Sequence, residues 1–200
     1  MKQSEKTQIT YDRILNAAII EFGTKGYMGA SLNNICATGI PKGLLYHNFK
    51  NKDAIYLACV EHSFKKLVDF IKSADLDNNL EKYMTIRLDF FKNHTNEAHI
   101  FFETILQPPD PLKNSIIELQ LEFNQLNKQL YQSVIHTITL RQGISTTDAL
   151  DYFAMLQTMF NGYFSSPIFR DLSLTDKITQ HEASLSKLLD FMLFGIAERR

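Results

Sequence analysis

From Thr10 the apolar positions Tyr11, Ile14, Leu15, Ala18, Ile19 and Phe22 return every three or four residues, the spacing of one buried helical face. Thr10 can cap that helix by accepting a hydrogen bond from a free amide, and Gly23 with Gly26 predicts its end. Ser31 is the next cap, ahead of a short segment holding Leu32 and Ile35. Gly39-Ile40-Pro41 then breaks the chain, because Pro41 suits a first helical turn and disfavours helix at Ile40. A third short helix is expected from about Pro41 to His47. A longer fourth begins near Asn51–Asp53, with Tyr56, Val60, Phe64, Leu67 and Ile71 on one face.

Beyond the turn-like run at 73–79 the spacing resumes with Leu80, Tyr83, Met84, Arg87, Leu88 and Phe91, and a shorter apolar piece follows over Ala98–Leu106. Pro108, Pro109 and Pro111 interrupt it. The series Ile116, Leu119, Phe123, Leu126, Leu130 and Val134 predicts one helix from Leu112 to about Leu140. Ser145 starts another, carrying Leu150, Phe153, Leu156, Met159 and Phe160, and Pro167 closes it. A last helix from Leu174–Thr175 runs through Ile178, Leu185, Leu188, Leu189, Met192 and Ile196. The pattern is all-α, with about nine helices and no repeat period that would suggest a solenoid.

Composition narrows this picture. Of 200 residues 44% are apolar and 22% charged, which suits a soluble globular chain. No apolar run approaches the ~18 residues of a membrane span, and Met1–Gln8 lacks the apolar core of a signal peptide, so a cytoplasmic protein without membrane partners is expected. Two cysteines, Cys36 and Cys59, make no disulfide framework and read as small buried residues. The net charge of −1 is split: residues 1–66 sum to +4 and the remainder to −5. Thirteen of the fifteen phenylalanines follow residue 60. A small basic head on an acidic, aromatic body suggests a polyanion-binding module joined to something else.

Three short helices within about forty residues, the last two joined by a tight Gly-containing break, describe a helix-turn-helix, in which the third helix enters the major groove. On that helix Leu45 and Phe49 point into the bundle, while Lys42, Gly43, Tyr46 and His47 share the opposite face. Lysine supplies charge for phosphate, Gly43 permits close approach, and Tyr46 and His47 can donate to phosphate or reach bases. Lys50 and Lys52 stand near the start of the fourth helix, where free amides also favour phosphate.

Three stretches in this order carry a resemblance: Ile14-Leu-Asn-Ala-Ala-Ile-Ile-Glu-Phe-Gly-Thr-Lys-Gly-Tyr, Ser31-Leu-Asn-Asn-Ile, and Lys42-Gly-Leu-Leu-Tyr-His-Asn-Phe-Lys-Asn-Lys-Asp. Over about residues 10–60 the chain resembles the N-terminal domain of the TetR family of bacterial transcription regulators. The resemblance implies phosphate-contacting positions at Ser31, Lys42, Tyr46, His47 and Lys52, and places Gly43 with Leu44 near the bases. It further implies a variable helical body that dimerises and takes an effector. Ile35–Gly39 is one residue shorter than the family pattern, Pro41 stands where serine is common, and Leu44 stands where a small hydroxyl residue is common.

In the body, Tyr83, Phe91, Phe101, Phe102, Phe123, Met155, Met159, Phe160 and Tyr163 are candidates to line a pocket for a small apolar or aromatic effector, against the plainer reading that each is core. The last two helices are apolar on more than one face, so Phe153, Leu156, Phe164, Leu185, Leu188, Leu189 and Met192 are candidates for a homodimer interface. His94 and His99 are five apart and share no helical face, so packing rather than metal binding is expected. Asp148 and Asp151 read as helix-start charges, and Cys59 has no ligand-spaced neighbour. No nucleophile arrangement or phosphate-cradling loop appears, so the expectation is no enzyme, no cofactor and no metal.

These readings make residues 1–52 a DNA-binding domain, the fourth helix (about 52–72) a connector, and residues 53–200 a ligand-binding and dimerisation domain. The expected function is a homodimeric repressor that leaves a palindromic operator on double-stranded DNA when an effector binds. The alternative is a regulator governed by a protein partner without a small-molecule effector, or a helical interaction protein.

Overall fold

The computed structural model describes residues 3–196. Among them run ten α-helices and two 3-10 turns, with no extended strand. They are α1 (Gln3–Gly29), α2 (Leu32–Ala37), α3 (Lys42–Asn48), α4 (Lys52–Lys72), α5 (Leu80–Asn93), α6 (Thr95–Leu106), α7 (Lys113–Leu119), α8 (Leu121–Ile135), α9 (Thr146–Phe164) and α10 (Leu174–Ile196). The helices pack as two compact units. One holds residues up to Lys66 together with Phe91–Leu119, and the other holds Leu67–Phe90 together with residues from Gln120 onward.

Most predicted boundaries hold, and three shift for identifiable reasons. The first helix begins at Gln3, so Thr10 lies inside it; nothing between Gln3 and Ile9 breaks a helix, and Glu5 favours its first turn. Gly23 does not end that helix. A Cβ there would stand 2.6 Å from the Asn96 backbone, so this glycine serves the close crossing of α6 on α1. The helix bends at Gly26 instead, which takes φ 66° and ψ 173°. The single helix expected over 112–140 is two, because the chain passes from one unit to the other between α7 and α8 and the second piece stops at Ile135.

In the first unit the face of α1 read from the sequence is buried: Ile14, Leu15, Ala18, Ile19 and Phe22. Each large aliphatic side chain removed from water contributes about 1.5–3 kcal/mol. Ile35 of α2, Leu45 of α3 and the Ile55, Tyr56, Cys59 and Val60 face of α4 are buried in the same unit. Rings tie the layers, with Phe22 on Tyr56 at 5.1 Å, Tyr11 stacked on Phe49 at 5.1 Å and Phe64 on Phe101 at 4.8 Å. Helix α6 buries Ala98, Ile100, Phe101 and Phe102 in the same core.

The second unit is held differently. Tyr131 stacks on Phe153 at 4.5 Å and Phe164 on Phe169 at 4.6 Å. Through this apolar interior runs a buried polar chain. Tyr83 donates to Asn127, Arg87 Nη1 donates to the Tyr83 hydroxyl at 3.0 Å, and Arg87 Nε and Nη2 donate to both oxygens of Glu182 at 3.1 and 2.7 Å. His181 Nδ1 lies 3.1 Å from Glu182, and its Nε2 lies 3.0 Å from the Asn161 side-chain oxygen. Such a pair stabilises little against an apolar core of equal volume; the chain of hydrogen bonds joins α5, α8, α9 and α10. At the start of α9, Ser145 and Asp148 form a capping box, so Asp148 has the helix-start role expected of it.

Candidate nucleic-acid interface

Helix α3 has two faces. Leu45 has no exposed surface and the flanking Phe49 is buried, while Lys42, Gly43, Leu44, Tyr46, His47 and Lys50 face outward. Leu44 is 37% and Tyr46 48% exposed. The expected DNA face is therefore assembled as a single outward surface. Ser31 and Lys52, at the starts of α2 and α4, are half-buried.

Helix α2 stops at Ala37, and both the amide and the hydroxyl of Thr38 turn back to the Ile35 carbonyl, at 3.3 and 2.8 Å. Gly39 then takes φ 89°, a left-handed conformation that costs a residue with a Cβ. Ile40 tucks into the core, and Pro41 sits just ahead of α3 in extended geometry. From α1 the Arg13 guanidinium donates to the Gly39 carbonyl at 3.0 Å, clamping the turn. Nothing in the spacing singled out Arg13; the one signal is a cation on the outer face of the first helix.

Ser31 caps α2 by accepting from the Asn33 amide at 3.2 Å, and its own amide donates to Glu21 at 2.9 Å. Lys52 Nζ sits 5.0 Å over the Tyr27 ring and 3.5 Å from the Met28 carbonyl. The Tyr27 hydroxyl donates to Asp53 at 2.6 Å; that hydrogen bond, with burial and the Asp53 charge, raises the phenol above its ordinary pKa. From Gly23 to Lys52 the sequence holds four lysines and no acidic residue, while Glu21 and Asp53 close the two ends.

Two kinds of likeness bear on this arrangement. Residues 14–59 match the family model described as bacterial regulatory proteins, tetR family. The chain is 30% identical over 125 residues to the biofilm operon icaADBC HTH-type negative transcriptional regulator IcaR of Staphylococcus epidermidis, covering 62% of this chain and 66% of that protein. It is 32% identical over 100 residues to the transposon Tn10 TetC protein of Escherichia coli, covering 46% of this chain and 51% of that protein. Each match thus spans less than two thirds of the relative's own length. Among solved structures, a transcriptional regulator FadR from Bacillus subtilis in complex with stearoyl-CoA superposes with a TM-score of 0.61 at 15% identity, covering 88% of this chain and 97% of that one. A TetR family transcriptional regulator from Chloroflexus aurantiacus gives 0.58 at 16%, covering 96% and 95%.

Residues 14–59 are a TetR-family N-terminal domain.

For the rest of the chain the structure sorts the candidates afresh. Of the nine effector candidates, Phe91, Phe101 and Phe102 pack on one another in the first unit, with ring centroids 5.0–5.2 Å apart. In the second unit Tyr83 and Phe123 flank Arg87, whose guanidinium lies 5.5 and 5.6 Å from their rings. Phe160 packs on His181 at 4.7 Å, whereas Met155, Met159 and Tyr163 face outward. The nine are thus not brought to one wall. A surface cavity of about 440 Å³ in the second unit is lined by other residues, among them Ile71, Leu126, Leu130, Asp75 and Asp77.

The dimer candidates show the reverse. Phe153, Phe164, Leu185, Leu189 and Met192 are buried within the protomer, and Leu156 and Leu188 are half-buried. The outward apolar stripe of α9 is instead Tyr152, Met155, Met159 and Tyr163, each between 54% and 63% exposed, and Phe191 and Phe194 of α10 reach 71% and 72%. Both faces of these helices are apolar, and periodicity alone could not tell which turned inward. His94 lies 3.1 Å from Lys66 and His99 2.7 Å from the Gly23 carbonyl, both as packed groups. Burial raises the Cys59 thiol well above its ordinary pKa, leaving it unreactive. No described helix is long and apolar enough to cross a membrane.

Proposed function

We propose that this chain is a homodimeric, cytoplasmic, helix-turn-helix transcriptional repressor that binds a palindromic operator and is released by a small-molecule effector. The observation that carries the reading is the outward face of α3, with Lys42, Gly43, Tyr46, His47 and Lys50 exposed over the buried Leu45, in a segment free of acidic side chains. Lys42, Lys50, Lys52 and Ser31 would hold phosphates, and Gly43 with Leu44 would approach base edges, Leu44 suiting a thymine methyl group.

The outward stripe of α9 and α10 supports association with a second copy. Six large apolar side chains are exposed on these two helices, more than a monomer commonly leaves to water. A two-fold dimer presents two α3 helices to half-sites about one DNA turn (~34 Å) or a multiple apart. Release by an effector follows if the effector favours a protomer arrangement that fits the operator poorly. One observation favours the effector-free alternative: Phe91, Phe101, Phe102, Tyr83 and Phe123 are filled core rather than pocket wall.

Selection of the purified protein against a random duplex pool at ~150 mM salt tests the reading. An enriched palindrome supports a dimeric sequence reader; a folded dimer that enriches nothing overturns it.

A further inference from the structure

The joint between α1 and α2, residues 26–31, ends at Ser31 and carries Lys52 on its surface, so two phosphate candidates depend on its geometry. The bend at Gly26 frees the Tyr27 amide from the helix, and that amide donates to both carboxylate oxygens of Glu103 on α6, at 2.9 and 3.2 Å. The Tyr56 hydroxyl, on a fully buried ring, donates to the same carboxylate at 2.8 Å. A Cβ at Gly26 would stand 2.8 Å from Glu103 Oε1, so the bend closes directly onto the acid. From Tyr27 the run continues outward, through its hydroxyl to Asp53 and through its ring to Lys52.

Hydrogen bonds to a carboxylate are short and about twice as strong as neutral ones. Here both oxygens are turned to the joint, and neither of their donors belongs to α6. The neighbouring acid on the same helix, Glu97, shows the contrast: it pairs with Lys66 of α4 at 2.5 Å.

We propose that Glu103 is a positioning residue for DNA binding. Held by the Tyr27 amide and the Tyr56 hydroxyl, its carboxylate fixes the α1–α2 joint and, through Tyr27, sets where Lys52 and the Ser31 end of α2 meet the phosphate backbone. The inference rests on the DNA-binding reading above.

The test compares wild type, Glu103→Ala, Glu103→Gln, Tyr56→Phe and Glu97→Ala by circular dichroism and by affinity for the duplex selected by wild type, over a range of salt. Glu103→Ala, still helical, is expected to lose operator affinity about tenfold or more. Its log–log salt slope is expected to fall by about 1 for every phosphate that a head no longer neutralises. Glu103→Gln keeps an acceptor for Tyr27 and restores most of both. Tyr56→Phe removes one donor without touching the charge and shifts both in the same direction by less. Glu97→Ala leaves the slope at the wild-type value. Wild-type affinity and slope in Glu103→Ala overturn the proposal, as does an equal loss in Glu97→Ala, which would assign the effect to α6 packing in general. If Glu103→Ala fails to fold, Tyr56→Phe decides by the same slope criterion. A wild type that selects no duplex overturns the DNA-binding reading itself, and the role of Glu103 with it.

Discussion

The two units pair their polar groups differently. In the first, side-chain charges reach backbone: Arg13 on the Gly39 carbonyl, Glu21 on the Ser31 amide, Glu103 on the Tyr27 amide. Each satisfies a main-chain group that a sharp turn leaves unpaired, and each lies at a junction between the short helices of the head. In the second unit charge meets charge inside the core, Arg87 on Glu182, linking helices ninety-five residues apart in sequence. The first arrangement fixes the outward aim of a small surface. The second joins long helices inside the core, including α9 and α10, whose outer faces are apolar.

Removing one partner of the buried pair tests that contrast most severely. Glu182→Ala leaves an uncompensated guanidinium in the core and is expected to cost about 3–5 kcal/mol in urea unfolding. The double change Arg87→Met with Glu182→Leu is expected to recover most of that loss. If the double variant is no better than the single, the pair stabilises in its own right.

Leu45→Ala attacks the other region through packing. The side chain is fully buried under α3, so the cavity is expected to cost about 2–4 kcal/mol. Operator affinity should fall with it, because the outward face of α3 is aimed by that packing. A variant that unfolds earlier but binds DNA as well as wild type below its transition would break the link between the inner and outer faces.

Acid should separate the regions further. Burial alone would raise the Glu182 pKa, but the Arg87 guanidinium and the His181 ring outweigh it and hold the carboxyl down to about 2, from an ordinary 4.5. The unfolded chain then takes up that proton first as pH falls. This share of stability is complete above about pH 4.5 and is lost progressively toward pH 2. Urea midpoints measured at about pH 5 and pH 3 should drop less between the two values in Glu182→Gln than in wild type. An equal drop would place the acid sensitivity elsewhere. The smallest effect expected is that of Ser145→Ala, which removes half of the α9 capping box at about 1 kcal/mol.

What the sequence made legible was whatever lies close along the chain. The inner face of α1, the caps at Ser31 and Ser145, the break at Gly39–Pro41 and the outward set on α3 each depend on residues within about one or two turns, and each is where the spacing put it. The misplaced groups depend on which partner a helix finds. Met155, Met159 and Tyr163 looked like pocket lining and stand on the outer stripe of α9, while Phe153 and Leu185 looked like interface and are core. A helix apolar all round carries no sign of which face turns inward. Glu103, Arg13 and Glu182 were hidden for a related reason. A charge that pairs with a distant backbone amide or a distant guanidinium has the same one-letter record as a solvated one.

Whether the outward face of α3 reads DNA is decided by titrating the selected duplex against wild type and Lys42→Ala over a range of salt. A steep fall in affinity with salt is expected for wild type. In Lys42→Ala the slope should be lower by about 1 per head, with affinity weakened alike for matched and mismatched duplexes. Binding insensitive to salt, or a Lys42→Ala variant indistinguishable from wild type, would contradict a DNA-reading α3.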